Sequence, residues 1–246
     1  RDPVNLEFST QDSDQHEAWL IKFPAQQEHP EVCAIEAVYA ECLRLCAIET
    51  PDTHFFNLPN GLTAFASKRF DRQNGMRIPM QSLAAYTGAD YKVPGSLDYR
   101  NFLRATLMCT QDVRERLHAF KRAVFNVLFN NRDDHTKNFS FLMEKNGQWK
   151  LAPAYDVTFC EGPGGYHQMD IMGEALNISR NDIHKLGTSE ANLTTLEVDE
   201  IILTMREIAL QFSQIAQRLY PHQIRESTLQ MIQSRIQQNI DFLTET

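Results

Sequence analysis

The chain has 246 residues, of which 42% are hydrophobic, so it can bury one large core or two packed lobes without disulfides or metal ions. Its 24 basic and 32 acidic residues give a net charge of −8, which argues against direct, nonspecific binding to nucleic-acid phosphates. No apolar run approaches the roughly 18 residues of a membrane span, and five cysteines without a C-x-x-C pair argue against a disulfide framework or zinc ribbon and favour a reducing cytoplasm.

The N-terminal residues predict a β-hairpin. Val4, Leu6 and Phe8 alternate with polar residues, as in a half-buried strand, and residues 17–23 supply a second strand after a polar turn. Because side chains alternate between the two faces of a strand, Lys22 points to one side of this sheet.

A helix and two further strands follow. Apolar residues at a spacing of 3.6 predict an amphipathic helix over residues 33–46, with Glu36 at one edge of its apolar stripe. Strands are predicted at 54–58 and 62–69, joined by the Pro59–Gly61 turn. The order is therefore strand, strand, helix, strand, strand.

After residue 75 the pattern becomes mainly helical. A buried helix face runs over residues 113–128, and strands at 139–143 and 148–151 flank an Asn146-Gly147 turn, which is a strong hairpin signal. Together the patterns predict an α+β fold of two lobes: a small antiparallel sheet with one helix, and a larger, mostly helical lobe.

The last third contains a loop and two long apolar stripes. Four glycines around Pro163 predict that residues 158–176 form a long mobile loop rather than packed structure. Thr194 and Glu197 have capping-box spacing ahead of an apolar stripe over residues 198–215, and a final stripe covers residues 229–243.

Three polar residues around the Asn-Gly hairpin suggest phosphoryl transfer. That reaction needs a group to orient the attacking hydroxyl, oxygen ligands for Mg²⁺ and a cation for the phosphates. Asp133 and Asn138 have the D-x-x-x-x-N spacing of kinase catalytic loops, and Asp156 follows one hairpin later. Each residue alone fits an ordinary turn or strand start, but their order, between a buried helix and a glycine-rich loop, favours a kinase centre.

Lys22 and Glu36 are candidates for the cationic element. A strand lysine that an acidic helix residue holds in place is the arrangement by which kinases direct a positive charge at nucleotide phosphates. A strand lysine is also commonly a solvated edge residue. Glu31 and Glu41 remain alternative partners for Lys22.

The chain resembles the HipA-type serine/threonine kinases over nearly its whole length. The segments that carry the resemblance are WLIKF (19–23), the region around residue 36, SKRFDR (67–72), NRDDHTKNFSF (131–141), WKLAPAYDV (149–157) and HQMDIMGE (167–174). The resemblance implies a kinase N-lobe over residues 1–75 and a C-lobe over residues 76–246, with an activation-type loop at 157–178.

By the same resemblance the cofactors are ATP and Mg²⁺, and each candidate residue acquires a role. Asp133 is the implied catalytic aspartate, with His135 and Lys137 completing the catalytic loop. Asn138 and Asp156 are the implied Mg²⁺ ligands. The implied nucleotide-binding residues are Lys22, which Glu36 holds against the phosphates, and Lys68, Phe70 and Asp71, where residues 68–70 form the hinge that meets adenine.

The resemblance also implies a biological role. HipA-type kinases are bacterial toxins, so the expected activity is phosphorylation of a serine or threonine in a translation component such as an aminoacyl-tRNA synthetase. The expected partners are this protein substrate, a HipB-type antitoxin that supplies any DNA contact, and a separate small protein like the family's N-terminal subdomain. The expected location is the cytoplasm, without membrane contact.

Two features depart from the family pattern. The extra N-terminal subdomain and the phosphate-covering loop of the family are missing ahead of the first strands, and residues 1–3 resemble the trailing edge of that loop. Truncation, an omitted disordered segment, and a short member of the three-component HipBST type all remain open. Asp134 stands where many relatives have a small residue, so we expect an additional carboxylate that could alter Mg²⁺ affinity.

Two other functions remain open at this point. One is a small-molecule or lipid kinase on the same fold, since the Asp-x-His-x-x-Asn pattern at 133–138 also resembles the catalytic loop of phosphoinositide kinases. The other is a catalytically silent kinase-like module that acts by binding a partner. The filled lysine and metal positions argue against the silent module.

Overall fold

The N-terminal part is built on a three-stranded antiparallel sheet. The computed structural model describes residues 1–3, 7–10 and 16–244. Val4 and Leu6 of the first predicted strand lie outside the described residues, and Phe8, which is described, is not part of a strand. The sheet has the order β1 (Trp19–Lys22), β3 (Thr63–Lys68), β2 (Thr53–Asn57). These strands confirm the three that the sequence predicts for residues 17–69, to within two residues at each end.

Helix α1 (Glu31–Leu45) joins this sheet to the rest of the molecule. Cys33 and Ala37 pack against Phe65 of β3. On another side of the helix, Tyr39 is fully buried and its ring contacts three aromatic side chains of the C-terminal core, namely Phe125, Phe129 and Phe212. Burying a ring of this size contributes about 2 kcal/mol or more, so α1 fixes the sheet relative to the C-terminal helices.

Two smaller sheets follow. Strands β4 (Arg72–Gln73) and β5 (Met76–Arg77) form a short hairpin. Strand β6 (Met80–Ser82) pairs with β7 (Ser140–Met143), which pairs with β8 (Trp149–Leu151). The β7–β8 hairpin confirms the Asn-Gly prediction. Strands β4, β5 and β6 were not predicted, because elements of two or three residues are too short to show a period.

Helices make up most of the C-terminal part. They are α2 (Leu83–Thr87), α3 (Tyr99–Thr110), α4 (Val113–Leu128), α5 (Arg180–Glu190), α6 (Thr195–Leu210), α7 (Phe212–Leu219) and α8 (Glu226–Thr244). The Thr194–Glu197 capping box begins α6 as predicted. The single stripe predicted over residues 198–215 is divided between α6 and α7 at Gln211. With the small antiparallel sheets, these helices confirm the α+β class.

The prediction of an unpacked loop at residues 158–176 is wrong. The segment contains one short 3₁₀ turn (Pro163–Gly165), but His167, Met169 and Ile171 are buried. Its alternating apolar side chains reach the core, where they remove apolar surface from water. A side chain at Gly162 would bring its Cβ within 2.3 Å of the Tyr166 carbonyl oxygen, so the tight turn requires glycine there.

Within residues 1–3, 7–10 and 16–244, no helix is both long enough and apolar enough to cross a membrane. Cys42 and Cys46 are buried side chains of the core around α1, as their helical spacing predicts. All five cysteines carry free thiols.

Candidate active site

The side chain of Lys22 lies between two carboxylates that come from distant parts of the chain. Its Nζ atom is 2.6 Å from Oε1 of Glu36 on α1, and it also donates to Oδ1 of Asp156, which follows β8. Glu31 instead binds Arg225, and Glu41 binds Arg44. Among the three glutamates considered from the sequence, Glu36 is therefore the partner of Lys22.

Burial and charge act in opposite directions on this trio. Burial lowers the pKa of Lys22, but the charges of Glu36 and Asp156 outweigh it, so the pKa is raised above its ordinary value. Burial raises the pKa of Glu36, and the attraction of Lys22 offsets this only in part. Lys22 therefore stays positively charged over the ordinary pH range, while Glu36 holds its proton more strongly than an exposed glutamate.

Contacts with α4 fix the chain that leads to Asp156. Glu115 accepts from the amide of Leu151 at 3.0 Å, and Arg122 donates to the carbonyl of Ala152. Asp156 itself has a left-handed backbone, with φ of +57°. Aspartate tolerates this conformation better than most residues, and such strained positions concentrate at functional sites.

The loop after α4 places Asp133 at the surface and Asn138 inside. The side chain of Asp133 is 51% exposed, and its Oδ1 atom is 3.8 Å from Nε2 of His135. Asn138 is buried, and its Nδ2 atom donates to the carbonyl of Asp133 at 2.8 Å. Since the two amide atoms lie on opposite sides of Cγ, this bond leaves Oδ1 of Asn138 available to a cation.

Tyr155 connects this loop to the segment that carries Asp156. Its hydroxyl donates to the carbonyl of Lys137 at 2.6 Å and lies 2.6 Å from the hydroxyl of Ser140. The Tyr155 ring also contacts Phe70, with centroids 5.5 Å apart. Sequence reasoning missed this link, and a tyrosine directly before the candidate metal-binding aspartate is the only signal that the chain offers for it.

Asp134 is turned away from the surface, so the expected second carboxylate at the metal is absent from that position. It is fully buried, and its oxygens accept from the Tyr99 hydroxyl at 2.7 Å and the Gln168 amide at 2.7 Å. The ring nitrogen Nδ1 of His167 lies 2.8 Å from the same carboxylate. These core partners explain the charge at this position, because a buried carboxylate needs several donors.

Two adjacent recesses share lining residues, and the trio lines the smaller of them. One, of about 220 Å³, is lined by Lys22, Glu36 and Asp156 together with apolar residues that include Leu20, Phe65 and Val157. The second, of about 960 Å³, shares Thr50 and Pro51 with the first and is lined by Lys68, Arg69 and Phe70 among others. The smaller recess is mostly apolar apart from the trio, and together with the larger, more polar recess it offers room for a nucleotide-sized ligand.

The charged groups of two predicted nucleotide-binding residues bind other protein side chains. The ammonium group of Lys68 is bound by Glu17 and lies 3.7 Å from Asp52. The carboxylate of Asp71 accepts from Arg69 at 2.6 Å and from Arg72. Phe70 reaches the site through Tyr155, whereas the charged groups of Lys68 and Asp71 are not brought together with Lys22 and Asp156.

The oxygen donors of Asp156 and Asn138 fit a magnesium ion. No cluster of three or more His, Cys, Asp or Glu side chains that could hold a metal occurs in the part of the chain that the structure describes. Mg²⁺ at nucleotide sites is usually held by one or two carboxylates with water and phosphate oxygens. The donor set at Asp156 and Asn138 therefore fits an ion that is completed by a nucleotide.

Comparisons with known proteins identify related sequences and folds. A family model described as the HipA-like C-terminal domain matches residues 3–219. A protein of Haemophilus influenzae described as a "Putative kinase" is 24% identical over 160 residues, which cover 56% of this chain and 44% of the relative.

Two solved structures share the fold. The Shewanella oneidensis HipA, solved in complex with HipB and operator DNA, superposes with a TM-score of 0.70 at 17% identity, covering 92% of this chain and 57% of the other. The Helicobacter pylori proinflammatory kinase CtkA gives a TM-score of 0.59 at 15% identity, covering 92% and 87%. The match therefore spans about half the length of the Haemophilus and Shewanella proteins.

Proposed function

Because the chain belongs to the family of HipA-like C-terminal domains, we propose that it is the catalytic part of an ATP- and Mg²⁺-dependent serine/threonine protein kinase. The observation that carries this proposal is the position of Lys22 between Glu36 and Asp156. These contacts join β1, helix α1 and the segment that follows β8 at one point. A cation that is held at the junction of an apolar recess and a candidate metal site is suited to bind nucleotide phosphates.

In this proposal each group has one task. Lys22, oriented by Glu36, binds the phosphates, and Asn138 and Asp156 hold Mg²⁺, which would neutralise charge on the phosphate oxygens. Asp133, exposed at the surface, accepts the proton of the incoming hydroxyl. The hydroxyl oxygen forms a bond to the γ-phosphorus as the bond to the β–γ bridging oxygen breaks, and ADP leaves.

The adenine would lie in the larger recess. Residues 68–70 line it, and Phe70 packs on Tyr155 next to the proposed metal ligand. We assign Lys68 and Asp71 to this end of the nucleotide site through their backbone, because their charged groups already have protein partners. His135 and Lys137 flank the proposed base on the catalytic loop.

The proposed biological role is that of a bacterial toxin that phosphorylates a translation component such as an aminoacyl-tRNA synthetase. The Shewanella protein is found with HipB and its operator DNA, which supports a HipB-type antitoxin as the partner of this protein. A separate small protein that replaces the N-terminal subdomain is a second proposed partner. The net charge of −8 supports DNA contact through the antitoxin in the cytoplasm rather than through this chain.

The experiment is transfer from γ-labelled ATP. The full-length protein is incubated with labelled ATP, Mg²⁺ and a cell extract, in parallel with Asp156→Asn. Label in one protein band, as phosphoserine or phosphothreonine, and its loss in the variant support the proposal. Label in lipid or small molecules would establish a different kinase class, and ATP binding without transfer would identify a silent module; either result contradicts the proposal.

A further inference from the structure

Tyr91 packs against two residues of the proposed catalytic loop. The Nζ atom of Lys137 lies over the Tyr91 ring, 3.5 Å from its centroid, and the His135 ring meets the same ring edge-on with centroids 5.8 Å apart. A cation over the face of an aromatic ring is attracted by the ring quadrupole, and 3.5 Å is well inside the distance at which this attraction acts. Tyr91 comes from the segment between α2 and α3, about 45 residues before the loop that it contacts.

Hydrogen bonds hold the segment of Tyr91 in place. The side chain and carbonyl of Asp90 accept from the amides of Lys92 and Val93, each at 3.0 Å, which forms a tight turn that contains Tyr91. Further along, the amide of Gly95 donates to the carbonyl of Gln168 at 2.8 Å. The backbone that carries the Tyr91 ring is therefore held by hydrogen bonds within the turn and after it.

The same contacts belong to a closed path of interactions that begins and ends on the proposed catalytic loop. The amide of Gln168 donates to the buried carboxylate of Asp134, which belongs to the loop that carries Lys137. The path runs from Asp134 through Gln168 and Gly95 to Tyr91, and back to the loop at Lys137. The loop is thus fixed from the inside by Asp134 and from the outside by the Tyr91 ring.

We propose that Tyr91 is a positioning residue that holds the ammonium group of Lys137 over the acceptor side of the proposed site, where the γ-phosphate is transferred. The proposal rests on the proposed kinase function. Lys137 is exposed and has a long flexible side chain, so an unconstrained ammonium group would sample many positions. A lysine held in one position stabilises developing phosphate charge without first having to be ordered.

Lys92 provides an internal control. Its Nζ atom lies 6.0 Å from the centroid of the same Tyr91 ring, but Lys92 is outside the catalytic loop. Lys92→Met removes a charge of the same sign beside the same ring. If Tyr91 acts through Lys137, this variant keeps the wild-type kcat.

The test is a double-mutant cycle in the full-length protein, with kcat and the KM for ATP measured at saturating Mg²⁺. Tyr91→Leu is expected to lower kcat about fivefold with little change in KM, and Lys137→Met about tenfold. Tyr91→Phe keeps the ring and is expected to restore kcat to within about twofold. The double variant Tyr91→Leu/Lys137→Met should be no slower than Lys137→Met. Additive losses in an active enzyme, or a Phe variant as slow as the Leu variant, would overturn the proposal.

A spectroscopic measurement separates this inference from the kinase proposal. In protein carrying ¹³C-labelled lysine, ring current from Tyr91 should shift the ε-methylene protons of Lys137 upfield, and the signal is assigned by its loss in Lys137→Met. The shift should persist in Tyr91→Phe and disappear in Tyr91→Leu. An unshifted signal in the wild type overturns the Tyr91–Lys137 contact whether or not the protein transfers phosphate. Absence of transfer from the wild type, with the shift present, overturns the kinase proposal instead and the kinetic role of Tyr91 with it.

Discussion

The hydroxyl of Tyr155 donates to the carbonyl oxygen of Lys137 at 2.6 Å. This bond ties the chain directly before Asp156 to the loop that carries Asp133 and Asn138. The two halves of the proposed metal site come from the segments that precede β7 and follow β8, which leave the hairpin at its open end, so this bond helps to fix their separation. Burial raises the pKa of Tyr155 to about 12, which keeps the hydroxyl proton in place at physiological pH.

Removal of the Tyr155 hydroxyl should loosen the attachment of the chain before Asp156 to the loop that carries Asp133 and Asn138. We expect Tyr155→Phe to lower kcat about fivefold, or about 1 kcal/mol, because the hydrogen bonds of the hydroxyl to Lys137 and Ser140 are lost. The ring contact with Phe70 is retained, so the affinity for ATP should change little. Single-turnover transfer and nucleotide binding measure the two quantities separately.

Tyr86→Phe is the matched control for this variant. Tyr86 packs its ring on Phe141 of the same strand as Ser140, and its hydroxyl makes no hydrogen bond to the residues that the structure describes. It should keep the wild-type rate. Equal rates for Tyr155→Phe and the wild type would show that the hydroxyl does not position the site.

Glu36 should impose an acid limb on nucleotide binding. Burial raises its pKa above the ordinary 4.5, so acidification neutralises Glu36 before it neutralises exposed glutamates, and Lys22 then loses a partner. The apparent KM for ATP should therefore rise as pH falls through the raised pKa. Glu36→Gln should show a KM about tenfold above the wild type and should lack this limb.

Acid unfolding of the protein caused by protonation of Glu36 cannot account for such an acid limb. A raised folded-state pKa means that Glu36 contributes most to stability below its unfolded pKa and that this contribution falls as pH rises through the folded pKa. Protonation of Glu36 therefore favours the folded state. A thermal unfolding midpoint that stays constant while KM rises would support the account, and a limb that persists unchanged in Glu36→Gln would contradict it.

Asp134 should influence folding rather than the metal. Asp134→Asn keeps one acceptor for the Gln168 amide but loses the charge that faces Tyr99 and His167, so we expect about 2 kcal/mol lower stability against urea. The Mg²⁺ concentration for half-maximal activity should remain within about twofold of the wild type. A large shift in Mg²⁺ dependence at unchanged stability would place Asp134 at the metal instead.

Most of the fold follows from short-range patterns. The amphipathic stripe of α1, the Asn-Gly turn of the β7–β8 hairpin and the Thr194–Glu197 capping box each act over a few residues, and all three occur as predicted. No glycine or proline near Gln211 marks the point where α6 ends and α7 begins. A single apolar stripe does not report where one helix ends and the next begins.

The candidate site can be predicted only in part from the sequence. The order of Lys22, Glu36, Asp133, Asn138 and Asp156 indicates which residues to consider, and resemblance assigns them roles. The direction of Asp134 depends on Tyr99 and His167, which lie about 35 residues away on either side. The Tyr155–Lys137 and Tyr91–Lys137 contacts are likewise set by tertiary packing, so no local spacing predicts them.

The most direct test of the central claim is the rate of phosphoryl transfer by Asp133→Asn. Asp133 is exposed, so the substitution should leave folding and ATP binding intact, and Asp241→Asn, which alters an exposed carboxylate on α8, serves as the control. We expect at least a ~10²-fold loss of transfer, about 2.7 kcal/mol, for Asp133→Asn alone. Transfer at the wild-type rate by a folded, ATP-binding Asp133→Asn protein would contradict the assignment of this site as the phosphoryl-transfer centre.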